Sequence, residues 1–217
     1  MAAFNVYVDG FNLYRGSLQN RNDLKWLDLR RFAARLLGPE HSINRVRYFT
    51  AKIDGRGDTG APQRQDVYLR ALKTLSDLSI TFGQFKRRQE RMTKVARHGA
   101  GRERVLVWKT EEKGSDVNIA TYLIWDALRG DGDASLVISG DTDLVLPIRM
   151  LTEELGRKVG VADGTLDRLP ASQLTDAASF VLKIRIGPLA DSQLQANLVD
   201  AAGVFHHPPK WDPPPPP

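Results

Sequence analysis

The sequence predicts an α/β fold, a mostly parallel sheet covered by helices on both faces. Short runs rich in β-branched and aromatic residues, such as Phe4-Asn5-Val6-Tyr7-Val8 and Leu136-Val137-Ile138, alternate with stretches that place apolar residues at helical spacing. The runs end on turn residues and acids, Asp9-Gly10 after the first and Ser139-Gly140-Asp141 after the later one. Strands that alternate with helices pair in parallel through right-handed crossovers. Every strand's carboxyl end then lies on one edge of the sheet, where ligands bind in open α/β folds.

In chain order, residues 4–8 form the first strand, and Phe11-Asn12-Leu13-Tyr14 opens a helix or turn directly after it. Leu29, Phe32, Ala33, Leu36 and Leu37 mark one face of a helix that starts on Asp28 and stops at Gly38-Pro39. Residues 43–51 are a second strand. Gly55, Gly57 and Gly60 make residues 54–61 a loop, and Pro62 fits the start of a helix carrying Tyr68, Leu69, Leu72, Leu75 and Leu78. Residues 79–86 alternate as a third strand and residues 104–110 as another. Antiparallel pairing of these two makes the intervening segment a long hairpin tip.

A helix is expected from Gly114 or Ser115 to Arg129, packed by Val117, Ala120, Ile124 and Leu128. The strand at 136–138 follows, then a helix to Leu155 and a last clear strand at 158–162. Residues 164–186 read as short helices and an extended piece. The expected division is a domain over residues 1–187, with its core at 4–162, and a C-terminal extension over 188–217. That extension ends in five consecutive prolines, a polyproline-type tail able to dock a protein partner. His206 and His207 precede it without a zinc-type spacing.

Composition narrows the function classes. The chain has 217 residues, 41% of them hydrophobic, so a sizeable core is expected. No run approaches the ~20 apolar residues of a membrane span, and the first residues lack the basic start of a secretory leader. There is no cysteine, which excludes disulfides, thiolate metal sites and a thiol nucleophile. A reducing cytoplasm is the expected location. The net charge is +5, with a pI near 9.6. Residues 86–104 hold eight basic residues against Glu90 and Glu103, so this segment alone is +6 and the rest of the chain about −1. Arg87, Arg88, Arg91, Lys94 and Arg97 therefore form a local patch suited to the phosphates of a nucleic acid. A solvated loop is the alternative.

The acids point to chemistry. Asp9 ends the first strand, Asp141 and Asp143 follow a late one, and Asp116 sits in the first turn of a helix on the same edge. One of Asp141 and Asp143 is explained as a helix cap, but two at i and i+2 repel each other unless a cation offsets their charge. Carboxylates without cysteine or histidine suit Mg²⁺ or Mn²⁺. Such an ion polarises a phosphoryl oxygen and activates water. Neither a phosphate-cradling GxxxxGK[ST] loop nor a GxGxxG after the first strand is present.

The blocks Tyr7-Val8-Asp9-Gly10-Phe11-Asn12-Leu13, Glu112-Lys113-Gly114-Ser115-Asp116-Val117 and Ser139-Gly140-Asp141-Thr142-Asp143-Leu144 resemble the signature blocks of the NYN domain, which includes LabA-like proteins and belongs to the PIN-like nucleases. The resemblance implies a PIN-like three-layer α/β/α sheet and a Mg²⁺- or Mn²⁺-dependent ribonuclease. It assigns Asp9, Asp116, Asp141 and Asp143 as catalytic and metal-holding acids. Asn12 would orient the first carboxylate or touch a phosphate, Lys113 would contact a phosphate, and Ser139 with Thr142 would support the turn. Phe11 or Tyr14 would stack a base. The basic segment lies outside the common motif. Asp163 reads as an accessory acid or as a simple Asp163-Gly164 turn. A regulatory module that binds RNA without cutting it is the second reading. A Mg²⁺-dependent phosphatase is weaker, because Phe11 stands where such enzymes commonly place a second acid.

Overall fold

The computed structural model describes residues 1–94 and 104–212. β1 (Ala3–Asp9) leads through the single turn α1 (Gly10–Leu13) to α2 (Leu29–Leu37), β2 (Ser42–Thr50), α3 (Ala61–Leu72) and β3 (Leu78–Phe82). A hairpin of β4 (Gln84–Thr93) and β5 (Arg104–Lys113) follows, then α4 (Ser115–Leu128), β6 (Ala134–Ile138) and α5 (Val145–Arg149). Next come β7 (Lys158–Ala162), α6 (Ser172–Ala177), β8 (Phe180–Leu182), α7 (Ile186–Ala190) and a second hairpin of β9 (Asn197–Asp200) and β10 (Gly203–His206).

β1, β2, β3, β6, β7 and β8 form one parallel sheet in the order β3-β2-β1-β6-β7-β8. It is the centre of a three-layer α/β/α fold. Alternation within the strands divides the core. Phe4, Val6, Val8, Leu136 and Ile138 face one layer, with Phe32 and Ala33 of α2 and Leu69 and Leu72 of α3. Tyr7 and Val137 face the other, with Ile119 and Leu123 of α4 and Ile148 of α5. Burial of each large apolar side chain contributes about 1.5–3 kcal/mol. The chain leaves β1 towards β2 on one side and returns at β6 on the other, so the sheet's switch point lies between β1 and β6. Among the described residues no helix is long and apolar enough to cross a membrane.

Several sequence expectations need correction. The helix α4 buries Ile119, Leu123 and Asp126; of the four expected packing residues Ala120 and Ile124 pack against the core, whereas Val117 and Leu128 are 69% and 64% exposed. The turn of the helix is set by an ion pair. Arg47 on β2 donates through Nε and Nη2 to Asp126 at 2.6 and 2.7 Å, and the Tyr7 hydroxyl donates to the same carboxylate at 2.9 Å. The partner of β5 is β4, in register from Gln84↔Lys113 to Thr93↔Arg104, and not β3. Gly83 breaks the expected strand at 79–86: its N–H donates to Thr50 O at 2.7 Å, and a Cβ there would meet Lys113 O at 2.7 Å. Much of the basic segment is thus a strand and not a loop. The helix expected after β6 is three short pieces: a tight turn at Thr142–Leu144, α5 and a wider turn at Met150–Glu154. Pro147, which has no N–H to donate, fits only the first turn of α5.

The helix α2 begins and ends as expected. Asp28 Oδ1 accepts from Arg31 N at 2.9 Å, and Gly38 closes it with a φ of 92° that favours glycine. The chain beyond residue 187 is more structured than its composition signals. Arg70 forks onto Asp200 at 2.7 and 2.6 Å and its guanidinium lies 4.0 Å from the Phe205 ring centroid. These contacts hold the second hairpin on the domain as a strap. The five prolines lie outside the described residues.

Candidate functional site

Three acids meet at the switch point. Asp116, Asp141 and Asp143 each offer a carboxylate oxygen, and these atoms lie within 4.8 Å of one another. Asp141 caps the turn that starts at Thr142, its Oδ1 accepting from Asp143 N at 3.0 Å. The cap reading therefore accounts for one oxygen of one acid and leaves the rest of the cluster unexplained. Asp116 sits in the first turn of α4, after Gly114 with its left-handed φ of 95°.

Asp9 is linked to this group through Ser139. Its Oδ1 accepts from Phe11 N and Asn12 N at 3.1 and 2.9 Å, and its Oδ2 accepts from the Ser139 hydroxyl at 3.0 Å. Ser139 Oγ in turn accepts from Asp141 N at 3.2 Å. Ser139 is thus a bridge from the end of β1 to the acid turn after β6. Asn12 is a second bridge: its Oδ1 accepts from Gly140 N and Gly164 N, both at 3.1 Å. A Cβ at Gly164 would come within 2.2 Å of that oxygen, so glycine is needed there. Asp163 makes a turn, accepting from Thr165 N at 2.8 Å. Thr142 is exposed, and Lys113 pairs with Glu111 at 3.2 Å.

Glu112 is an acid that the sequence reading quoted in a motif but did not assign. It is half-buried, accepts from the Ser115 hydroxyl, and its carboxyl is raised by burial and then by Asp9. The only signal for it is its place four residues before Asp116 in the second block. Burial also raises Asp9, partly countered by its hydrogen bonds. Asp116 is pushed up to about 6, first by burial and then by Asp141, Asp9, Glu112 and Asp143. A proton binds there more tightly in the folded chain than in the unfolded one. Stability from this group is therefore full below the ordinary carboxylate range and lost as pH rises through about 6. A divalent ion competes with that proton. Metal-free protein is expected to lose thermal stability between pH 5 and 7, and added Mn²⁺ to raise the midpoint more at pH 7.5 than at pH 5. Thermal scans across pH with and without Mn²⁺ check this.

The first hairpin rises beside the acids. Its pairing places Phe85, Arg87, Arg91, Arg104, Leu106, Trp108 and Glu112 on one face, because directly opposed residues share a side. Phe85 packs edge-on against Phe11, with centroids 5.2 Å apart. Arg87 lies over the Trp108 ring at 3.9 Å, and Trp108 and Leu106 are 57% and 60% exposed. Among the described residues Arg87, Arg91 and Arg104 have no carboxylate in ion-pair reach. On the opposite face the cations are largely ion-paired: Arg88 pairs with Glu90 and Glu111, Lys109 pairs with the same two acids, and Lys113 pairs with Glu111. Arg88 therefore does not share a side with Arg87 and Arg91. Lys94 follows the last residue of β4, and Arg97 lies outside the described residues.

The family model for the NYN domain matches residues 3–184. The chain is 28% identical over 219 aligned positions to the 6-hydroxy-3-succinoylpyridine 3-monooxygenase HspA of Pseudomonas putida, across 87% of this chain and 69% of that protein. A crystal structure of a protein of unknown function from Vibrio parahaemolyticus is similar in fold, with a TM-score of 0.50 and 18% identity, across 89% of this chain and 97% of that one.

Proposed function

The chain belongs to the NYN domain family, and from that premise we propose that it hydrolyses RNA phosphodiester bonds with a Mg²⁺ or Mn²⁺ ion held by Asp116, Asp141 and Asp143. The observation that carries the reading is the convergence of these three carboxylates, from two distant segments, within 4.8 Å. Their donor set is all oxygen, which fits a hard divalent ion. Bound there, such an ion supplies polarisation of a phosphoryl oxygen and activation of water.

The chain's own residues have separate tasks. Asp9 and Ser139 fix the position of the Asp141 turn through hydrogen bonds. Asn12 ties the turns after β6 and β7 to the end of β1. Asp116, raised to about 6, holds a proton at its carboxylate until metal or rising pH removes it. Arg87 and Arg91 guide the phosphate backbone, and Trp108 offers a ring on which a base stacks.

Single-stranded and structured RNAs incubated with the purified chain, with and without Mn²⁺, test the proposal. Cleavage only with the ion supports it, and no cleavage of any RNA with either ion contradicts it. An RNA-binding module without chemistry is the second reading, favoured by the exposed arginine–tryptophan face of the hairpin. It predicts binding with no cleavage under the same conditions. The monooxygenase name of the Pseudomonas putida relative describes that protein, and at 28% identity it does not set the reaction here.

The hairpin's two faces give a separate expectation. Replacing Arg87 and Arg91 together by Ala is expected to weaken RNA binding at low salt. It should also flatten the logarithmic salt dependence by about 1.4, the share of two phosphate contacts on a single strand. Arg88→Ala, on the ion-paired face, should change both by much less. Filter binding across a salt series separates the two. Equal effects would mean that the strand does not choose between the faces.

A further inference from the structure

A concavity lined by residues of α1, and by none of the four site acids, lies next to that turn. It has a volume of about 480 Å³, within the usual range for small-ligand sites. Gly10 and Phe11 of α1 border it, so it adjoins the segment that caps onto Asp9. Its walls are aromatic: Tyr14, Tyr48, Tyr68 and Trp211 line it. Trp211 arrives on the C-terminal strap and packs 6.2 Å from Tyr68 and 6.3 Å from Trp26, centroid to centroid. The Tyr68 hydroxyl is occupied, donating to Leu27 O at 2.9 Å. The rings therefore offer apolar surface.

The charge at this cavity does not balance. Lys25, Arg64 and Lys210 all line it, with Asp58 as the acid among them. Arg64 and Lys210 both pair with Asp58. Lys25 is 9% exposed. Its ammonium donates to the neutral amide of Asn22 at 2.8 Å and sits 5.5 Å from the Tyr14 ring centroid. Among the described residues no carboxylate pairs with it. Burial lowers its pKa, Arg64 and Lys210 lower it further, and Asp58, beyond ion-pair distance, partly opposes them. A buried ammonium without a carboxylate costs stability unless an anion reaches it.

We propose that this cavity binds a planar heteroaromatic ring carrying an anionic group, with the ring among Tyr14, Tyr68 and Trp211 and the anion at Lys25. Flat rings match aromatic walls by stacking, and the anion supplies a direct ion-pair partner for Lys25, which Asp58, already shared by Arg64 and Lys210, does not provide. Two sources share this chemistry: a nucleotide, with its base and phosphate, and a small heteroaromatic acid. Where the ring is a nucleotide of a cleaved RNA, the site is a base subsite beside the acids and rests on the hydrolytic reading. The binding itself does not.

Isothermal titration of the full chain in EDTA tests the proposal without metal or cleavage. The probes are adenosine and uridine 5′-monophosphate, adenosine alone, inorganic phosphate alone, and pyridine-3-carboxylate. A probe that joins ring and anion is expected to bind roughly tenfold more tightly than either part alone. Tight mononucleotides with a weak pyridine acid identify a nucleotide site, and the reverse identifies a small-acid site. Lys25→Met, which keeps the length and apolar stem, should weaken binding by roughly tenfold, with Lys25→Arg restoring part of it. Thermal midpoints of both variants confirm folding. Asp141→Asn, which disables the hydrolytic reading's ion site, should bind the probes as the wild type does, so the two readings fail separately. The proposal is overturned if no ring-plus-anion probe binds at millimolar concentration, or if folded Lys25→Met binds them like the wild type.

Discussion

Asp141→Asn is expected to lower metal-dependent RNA cleavage by roughly a thousandfold, about 4 kcal/mol of transition-state stabilisation, with the fold intact. The substitution keeps the shape of the side chain and an oxygen able to cap Asp143 N, and Asn is as good an N-cap as Asp. It removes one of three carboxylates whose oxygens lie within 4.8 Å. Two measurements separate a lost ion site from a damaged fold. Without metal, the variant should melt at or above the wild-type temperature, because one repulsive charge has gone. With Mn²⁺, it should show little of the wild type's upward shift, because binding to the folded state is what raises the midpoint. A variant that cuts RNA at the wild-type rate, or gains as much from Mn²⁺, would sink the assignment of Asp141 as a ligand.

Asp9→Asn is a useful contrast. Asp9 accepts three hydrogen bonds from the protein, from Phe11 N, Asn12 N and Ser139 Oγ. Its contribution runs through the turn it holds as well as through its charge. The spread of the acids along the chain left this difference invisible. Sequence position puts Asp9, Asp116, Asp141 and Asp143 on one edge of a parallel sheet, and the structure brings the last three into one tight group with Asp9 linked to it through Ser139. The four acids differ in how many carboxylate hydrogen bonds the protein has already made, three at Asp9 and one at Asp141. Local sequence shows the capping positions but not the partners across 130 residues, such as Ser139 for Asp9.

The fold was more legible than the site. Continuous apolar runs such as Leu136-Val137-Ile138 report burial on both faces, and Asp28 and Gly38 mark their helix from the sequence alone. The misread parts are those where a long-range polar contact overrides local periodicity. The face of α4 follows Asp126 and not the Val117–Leu128 stripe. The split of β3 from β4 follows one close approach at Gly83. The cavity lined by Lys25 needs Trp211 and Lys210, which stand some 185 residues further along and carry no periodic signal. Glu112 was hidden by the same means: its significance is the neighbouring Asp9, not its own motif position.

The largest stability loss is expected from Asp126→Ala, about 3–5 kcal/mol. Asp126 is almost wholly enclosed and binds Arg47 through two hydrogen bonds of 2.6 and 2.7 Å while accepting from the Tyr7 hydroxyl. Arg47 also lies 4.2 Å from the Tyr122 ring centroid. Removing the carboxylate leaves a guanidinium and a hydroxyl without their anion, which costs far more than the pair contributes when intact. At about 2–4 °C per kcal/mol for a domain of this size, the melting midpoint should fall by roughly 10 °C. Arg47→Met with Asp126→Leu removes both charges and fills the space, and should recover most of that loss, because the penalty comes from the orphaned charge. Chemical denaturation of the wild type, Arg47→Met, Asp126→Leu and their double gives the coupling between the two positions. A single Asp126→Ala costing less than about 1 kcal/mol would mean that water reaches Arg47 once Asp126 is gone. The hold of α4 on β1 and β2, which fixes the helix bearing Asp116 at its other end, would then rest on its apolar packing, led by the buried Ile119 and Leu123.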